Sequence, residues 1–233
     1  GNRLMIGTDN VFFTGNARSL GGATFRAATG PLGGSVAALA FNPHDADIGF
    51  ASTTGGQVFR IDALNSATPG TTNITNNLPI GNSVTRIEVD PFDTSGQTIY
   101  VTLSGFFASR VWKTENGGAT WQDFSAGLPA VPAFTLKVDP IDADRLWLGT
   151  EIGLWTTTGN LSDTPDWQRY EYGVPHTRVI EIAWGDDDTL YATTHGRGTF
   201  RARRSPYAIQ AGVFAATTDC DADGILDVGE AGT

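Results

Sequence analysis

Four stretches decide the fold: Ala37-Ala38-Leu39-Ala40-Phe41-Asn42-Pro43, Thr85-Arg86-Ile87-Glu88-Val89-Asp90-Pro91, Thr135-Leu136-Lys137-Val138-Asp139-Pro140 and Ile180-Glu181-Ile182-Ala183-Trp184-Gly185. In each, apolar residues alternate with others at period two, the pattern of a strand with one half-buried face. Proline cannot continue a central strand, so the Asn-Pro and Asp-Pro pairs mark where three of them turn. Taking Leu39, Ile87, Leu136 and Ile182 as equivalent, the steps are 48, 49 and 46 residues. A strand that recurs at that period belongs to an internal repeat.

Working outward, a second strand follows each turn and carries small residues with Thr: Ala51-Ser52-Thr53, Tyr100-Val101-Thr102, Trp147-Leu148-Gly149-Thr150 and Tyr191-Ala192-Thr193. A third carries an aromatic: Phe59, Trp112, Trp155 and Phe200, at steps of 53, 43 and 45. A fourth closes some units, around Trp121 and Trp167. Four short strands per unit of this length, joined by Gly, Asn and Asp turns, read as the blades of a β-propeller, an all-β fold. A β-sandwich with accidental similarity is the alternative, and four matching registers argue against it.

The chain opens inside a blade. Arg3 to Thr8 matches a second strand, Val11 to Thr14 a third and Ala23 to Arg26 a fourth, while Val179 to Arg204 supplies a first, second and third. The count is 18 strands, and blade breaks fall near residues 34, 82, 132 and 177. This predicts a partial propeller of about four to five blades, the C-terminal portion of a larger one; a compact four- or five-bladed ring closed through the chain ends is the rival. The domain reading is blades over 1–206, the first of them incomplete, a linker over 207–218 and, over 219–233, a calcium-binding repeat expected to begin a longer C-terminal region. The expected core comprises Leu39, Phe41, Phe59, Ile87, Val89, Trp112, Leu136, Val138, Trp155, Ile182 and Phe200.

Composition excludes several functions. Fifteen basic against 25 acidic residues give a net charge of −10, which removes a general electrostatic footprint for nucleic acid. The longest apolar run, Val36 to Phe41, is six residues, so no membrane-spanning helix is expected. The lone Cys220 cannot form an internal disulfide.

At Thr114-Glu115-Asn116-Gly117-Gly118-Ala119-Thr120-Trp121 the sequence resembles the Asp-box, or BNR repeat, of pattern Ser-x-Asp-x-Gly-x-Thr-Trp. Ser19 to Phe25 looks like a decayed copy. The surrounding Val-Asp-Pro-x-Asp at 89–93 and 138–142, and Thr-His-Gly-Arg-Gly at 194–198, are similar to secreted bacterial sialidase-like and sortilin-like propellers. The resemblance covers residues 3 to 204. It implies a fold strongly and a function weakly, because such families hold glycosidases, assembly factors and receptors alike. A short polar side chain at Asn116 can bond back to the hairpin backbone where two glycines permit a turn, which makes the motif a staple of the fold.

Catalytic chemistry has candidates without a constellation. The Arg-Ile-Pro signature of sialidases is absent, and Arg197, Arg201, Arg203 and Arg204 crowd one hairpin. Glu88, Glu151, Glu171 and Glu181 are candidates to face a central channel, where two acids roughly 5–10 Å apart run glycoside hydrolysis, although solvated positions on strands or loops are the favoured reading. His44, His176 and His195 show no zinc spacing. The expectation is a non-catalytic secreted or cell-surface module that binds a protein or glycan or assembles with copies of itself. The alternative is a piece of a glycoside hydrolase completed by further blades.

The most chemically specific stretch is Asp219-Cys220-Asp221-Ala222-Asp223-Gly224-Ile225-Leu226-Asp227-Val228-Gly229-Glu230. Acids at loop positions 1, 3, 5, 9 and 12 with glycine at 6 turn alternate oxygens inward around a calcium ion. Asp219, Asp221 and Asp223 each give an oxygen, Ile225 its carbonyl, Asp227 a direct or water-mediated contact and Glu230 a bidentate closure. Flanking helices are not evident, and the stretch resembles one thrombospondin type 3 calcium repeat, which implies an extracellular setting.

Overall fold

The computed structural model describes residues 2–106, 109–158, 161, 164–185 and 189–203. The chain divides into a unit Gly1–Ala202 and a unit Arg203–Thr233, and the sheets are built in the first. The calcium-type spacing at 219–230 lies outside the described residues, as does Arg204.

Every described element is a strand. The first sheet holds β1 (Leu4–Gly7), β2 (Val11–Thr14) and β3 (Arg26–Ala27). The second holds β4 (Val36–Phe41), β5 (Gly49–Thr53), β6 (Val58–Asp62) and β7 (Gly70–Asn73). The third holds β8 (Val84–Val89), β9 (Ile99–Leu103), β10 (Val111–Thr114) and β11 (Gln122–Asp123). The fourth holds β12 (Ala133–Asp139), β13 (Asp142–Thr150), β14 (Gly153–Thr158) and β15 (Asp166–Arg169). The fifth holds β16 (Val179–Trp184), β17 (Thr189–Thr194) and β18 (Gly198–Arg203). Each sheet is an antiparallel meander in chain order, and β4, β8, β12 and β16 neighbour one another from sheet to sheet. This is the radial arrangement of propeller blades, with those four strands innermost.

All four inner strands carry a bulge at the same place. The register slips between Val36 and Ala38, Val84 and Arg86, Ala133 and Thr135, and Val179 and Glu181. A bulge re-aims the side chains after it, and here it sets which face of Leu39, Ile87, Leu136 and Ile182 turns inward. Just before each bulge, the first inner-strand residue presses on the second strand of the preceding blade. A Cβ at Gly7 would sit 2.6 Å from Val36 Cβ, and one at Gly149 would sit 2.8 Å from the Val179 carbonyl. At the matching position Ser52 donates to the Val84 carbonyl at 3.1 Å. Close approach of strands explains the small-residue signature.

The core is divided among the blade interfaces, one apolar cluster to each. The loop joining successive blades drops one apolar residue beside a proline into each cluster: Leu32, Leu78, Leu128 and Val174. Of the expected core, Phe59, Ile87, Val89, Leu136, Val138 and Ile182 are buried. Leu39, Phe41, Trp112, Trp155 and Phe200 are only half-buried. Trp112, Trp155 and Phe200 pack against the clusters from their edge, and the preceding residues Val111 and Leu154 take the fully buried positions. Leu39 and Phe41 line an opening at the inner edge instead.

Candidate functional site

The inner strands bring four charged side chains together. Because of the shared bulge, Arg86 on β8, Thr135 on β12 and Glu181 on β16 occupy one repeat position, and Glu88 and Lys137 occupy the position two residues on. Lys137 Nζ donates to both oxygens of Glu88, at 3.2 and 2.9 Å. Arg86 Nη1 reaches past β12 to donate to Glu181 Oε2 at 3.1 Å, and Thr135 Oγ1 donates to Glu181 Oε1 at 3.4 Å. Arg86 Nε stands 4.0 Å from Glu88 Oε2. Burial pushes the Glu88 carboxyl above its usual range, against the pull of Lys137 and Arg86. A cavity of about 580 Å³ opens here, walled also by Pro91, Pro140 and Trp184.

The other acids singled out from sequence lie at the end of the sheets where blades are joined. Glu151 accepts two bonds from Arg178, at 2.8 and 3.0 Å, and that guanidinium lies 5.0 Å over the Phe134 ring. Glu171 lies 2.8 Å from His176 Nε2 and 3.5 Å from Arg169 Nε. All four acids therefore have a cationic or imidazole partner. The structure brings Glu88 and Glu181 into one cluster and leaves Glu151 and Glu171 outside it. His44 Nε2 meets the Pro91 carbonyl at 2.9 Å, and the backbone N–H of His195 donates to the Arg178 carbonyl at 2.9 Å. The histidines share no site.

The hairpin Thr114–Trp121 is held from within. Asn116 Oδ1 accepts from the Thr120 N–H at 2.9 Å, Thr114 Oγ1 donates to Asn116 Oδ1 at 2.8 Å, and Gly117 and Gly118 take φ of 66° and 89°. Trp121 Nε1 then donates to the Ile74 carbonyl of the preceding blade at 2.8 Å. The same bonds recur from Thr14 and Thr24 to Asn16 Oδ1, at 2.5 and 3.1 Å. The key polar residue of that copy is thus Asn16, upstream of the Ser19 where the resemblance begins.

A further groove, not visible in sequence, lies between the loop joining the second and third blades and the turn from β9 to β10. It holds about 360 Å³ and is lined by Pro79, Ile80, Asn82, Leu103, Gly105, Ser109 and Trp112. Ile80, in its lining, stands 70% exposed. The Trp112 indole nitrogen is covered and has no hydrogen-bond partner. Ile80 and Trp112 are far apart in the chain, so only the blade geometry brings them together.

These features define a module built of β-propeller blades. No family profile matches the chain, and no curated protein matches it. Solved structures do. An ancestral GH74 enzyme is 18% identical with a TM-score of 0.56, covering 87% of this chain and 31% of its own. The GH74 xyloglucanase from Xanthomonas campestris is 13% identical with a TM-score of 0.62, covering 86% and 35%. An extracellular domain assigned to a one component system of B. thetaiotaomicron is 12% identical with a TM-score of 0.62, covering 86% and 26%. The chain spans about a third of the GH74 enzymes it matches. At these identities the likeness is one of fold. Among the described residues no helix is long and apolar enough to cross a membrane.

Proposed function

We propose that the chain is a non-catalytic binding module, secreted or held at a bacterial cell surface, whose ligand is a protein, a glycan or another copy of itself. The observation that carries this reading is the contrast between two regions. The acids that hydrolysis would need are tied into ion pairs, whereas the groove at Trp112 offers open apolar surface, with Ile80 70% exposed beside the polar Asn82 and Ser109. Exposed apolar patches beside polar groups mark interaction sites. The hydrogen bonds of Asn116 and Asn16 support kinship with Asp-box propellers, in which the motif staples a hairpin.

The tail extends the proposal. Asp219, Asp221, Asp223, Ile225, Asp227 and Glu230 hold calcium, and the support is their spacing alone. Millimolar calcium is then expected to protect residues 219–230 from proteolysis, with D223A abolishing the protection. The likeness to GH74 enzymes favours a second reading, a piece of a xyloglucan-cleaving hydrolase. Titrating the chain with xyloglucan and sialoside oligosaccharides, while assaying released reducing ends, separates the two. Heat of binding without new reducing ends supports the module; turnover abolished by E88Q or E181Q overturns it.

A further inference from the structure

Glu181 carries the most open charge of the inner cluster, and its carboxylate is held firmly in place. Its side chain is 48% exposed, against 24% for Arg86, 26% for Lys137 and 14% for Glu88. One oxygen, Oε1, is tied into the fold: it accepts from the Ile182 N–H at 3.2 Å and from Thr135 Oγ1 at 3.4 Å. The other, Oε2, accepts from Arg86 Nη1 at 3.1 Å, and Glu181 lines the cavity of about 580 Å³. Room in that cavity comes from Ala183, which takes on β16 the repeat position that Glu88 and Lys137 fill on their strands. An acid fixed by its own strand beside open space is preorganised to receive a partner.

Arg86 is not stranded if a guest takes Glu181. Its Nε already stands 4.0 Å from Glu88 Oε2, so a small turn of the guanidinium exchanges one carboxylate for the other. Burial raises the Glu88 carboxyl, and a second cation beside that acid favours its charged form. An anion entering the same space would meet two acids as well as two bases, in a chain of charge −10 that repels it. A cation is drawn in by the same field. The walls at Pro91, Val138, Pro140 and Trp184 are apolar and suit the aliphatic stem of a long basic side chain. Resting on the binding-module reading, we infer that this cavity, apart from the groove at Trp112, takes a lysine side chain of a partner protein: its stem lies against the prolines and Trp184, and its ammonium pairs with Glu181 as Arg86 turns to Glu88. A compact ammonium suits a carboxylate with one oxygen to give better than the two-pronged fork of arginine does.

The test titrates the whole chain by calorimetry with acetyl-Ala-Lys-Ala-amide, with its norleucine and arginine counterparts, and with spermidine. The lysine peptide is expected to bind at least about tenfold tighter than the norleucine peptide, the size of effect a charge-assisted hydrogen bond supplies, and tighter than the arginine peptide. The preference should shrink as salt is raised, because Glu181 is half open to solvent. E181Q keeps the shape of the side chain and is expected to erase the preference. A183K, at an exposed position two residues along the strand, gives the cavity an ammonium of its own and is expected to block the lysine peptide while the melting temperature holds. Equal binding of the lysine and norleucine peptides, binding of neither, a preference that survives E181Q or A183K, or tighter binding of the arginine peptide or of spermidine would each overturn the inference. Failure of the lysine peptide while an oligosaccharide binds without turnover in the preceding titration removes this ligand and leaves the binding module standing.

Discussion

At the scale of single residues, the Asx-Pro-x-Asp turns show how much a short motif does. In three blades the first polar residue caps the backbone two residues on: Asn42 Oδ1 accepts from His44, Asp90 from Phe92 and Asp139 from Ile141, at 2.9, 2.8 and 3.2 Å. The second repeats the bond: Asp45 Oδ1 accepts from the Asp47 N–H, Asp93 from Ser95 and Asp142 from Asp144, at 2.9, 2.9 and 3.2 Å. These are successive Asx turns, which fix where each inner strand ends. Asp93 is the most heavily used, accepting also from the Ser95 hydroxyl at 2.6 Å and the Thr98 N–H at 2.7 Å. Burial works against its charge, but the bonds from Ser95 and Thr98 outweigh it and hold the carboxyl well below the usual range. A folded pKa below the unfolded 3.8 means the stabilisation is present above that pH and is lost as pH falls below it. D93A is therefore expected to cost about 1 kcal/mol at neutral pH, and the difference from the parent should shrink in acid. Urea midpoints measured at pH 7 and at pH 3 check the sign; a gap that widens in acid contradicts it.

At the scale of elements, all five sheets were legible because strand alternation, turn residues and a fixed period agree. The fate of the aromatics was not. Trp112 and Trp121 look alike in sequence, yet Trp121 is 4% exposed with its indole bonded into the preceding blade, while Trp112 is half-buried with its indole unbonded. Burial of a blade's aromatics depends on where the interface closes, which the period does not encode. W121A should therefore cost about 3–5 kcal/mol and W112A, expected from the sequence to be core, about half of that. Guanidinium melts of the two variants decide between these. The inner cluster was half legible. Glu88 and Glu181 stand out as acids on inner strands, but their partners did not, although Lys137 occupies the repeat position of Glu88 and betrays the pairing once the bulges are aligned. The small position on the second strand yields a sharper test. A Cβ at Gly149 would meet Thr135 Cγ2 at 2.6 Å and Val179 Cγ1 at 2.9 Å, so G149A should destabilise by roughly 1–3 kcal/mol. At Gly34, where the nearest atom is 3.6 Å away, G34A should stay within about 0.5 kcal/mol. Equal thermal shifts would mean that strand approach does not select the residue.

At the scale of the molecule, each interface depends on the blade beside it, and the first sheet carries the cost of having no inner neighbour among the described strands. In the other four sheets the second strand is flanked on its inner side by a first strand; β1 is the edge of its sheet. Its side chains divide sharply: Met5 is buried at 7%, while Leu4 and Ile6 are 44% and 43% exposed. An edge strand with exposed apolar side chains and unpaired backbone groups is a template for another strand. The strand that fits has the alternation of the inner strands, since β4, β8, β12 and β16 pair with β5, β9, β13 and β17 in that register. The 233-residue chain is therefore expected to associate in a concentration-dependent way through β1. I6K places a charge on that edge without touching Met5, and should lower the association constant by about tenfold or more with little change in melting temperature, since charged edges oppose strand addition. Sedimentation velocity over a range of concentrations reads the effect. A chain that stays monomeric, or an I6K variant that associates as strongly as the parent, would show that β1 is covered by its own neighbours.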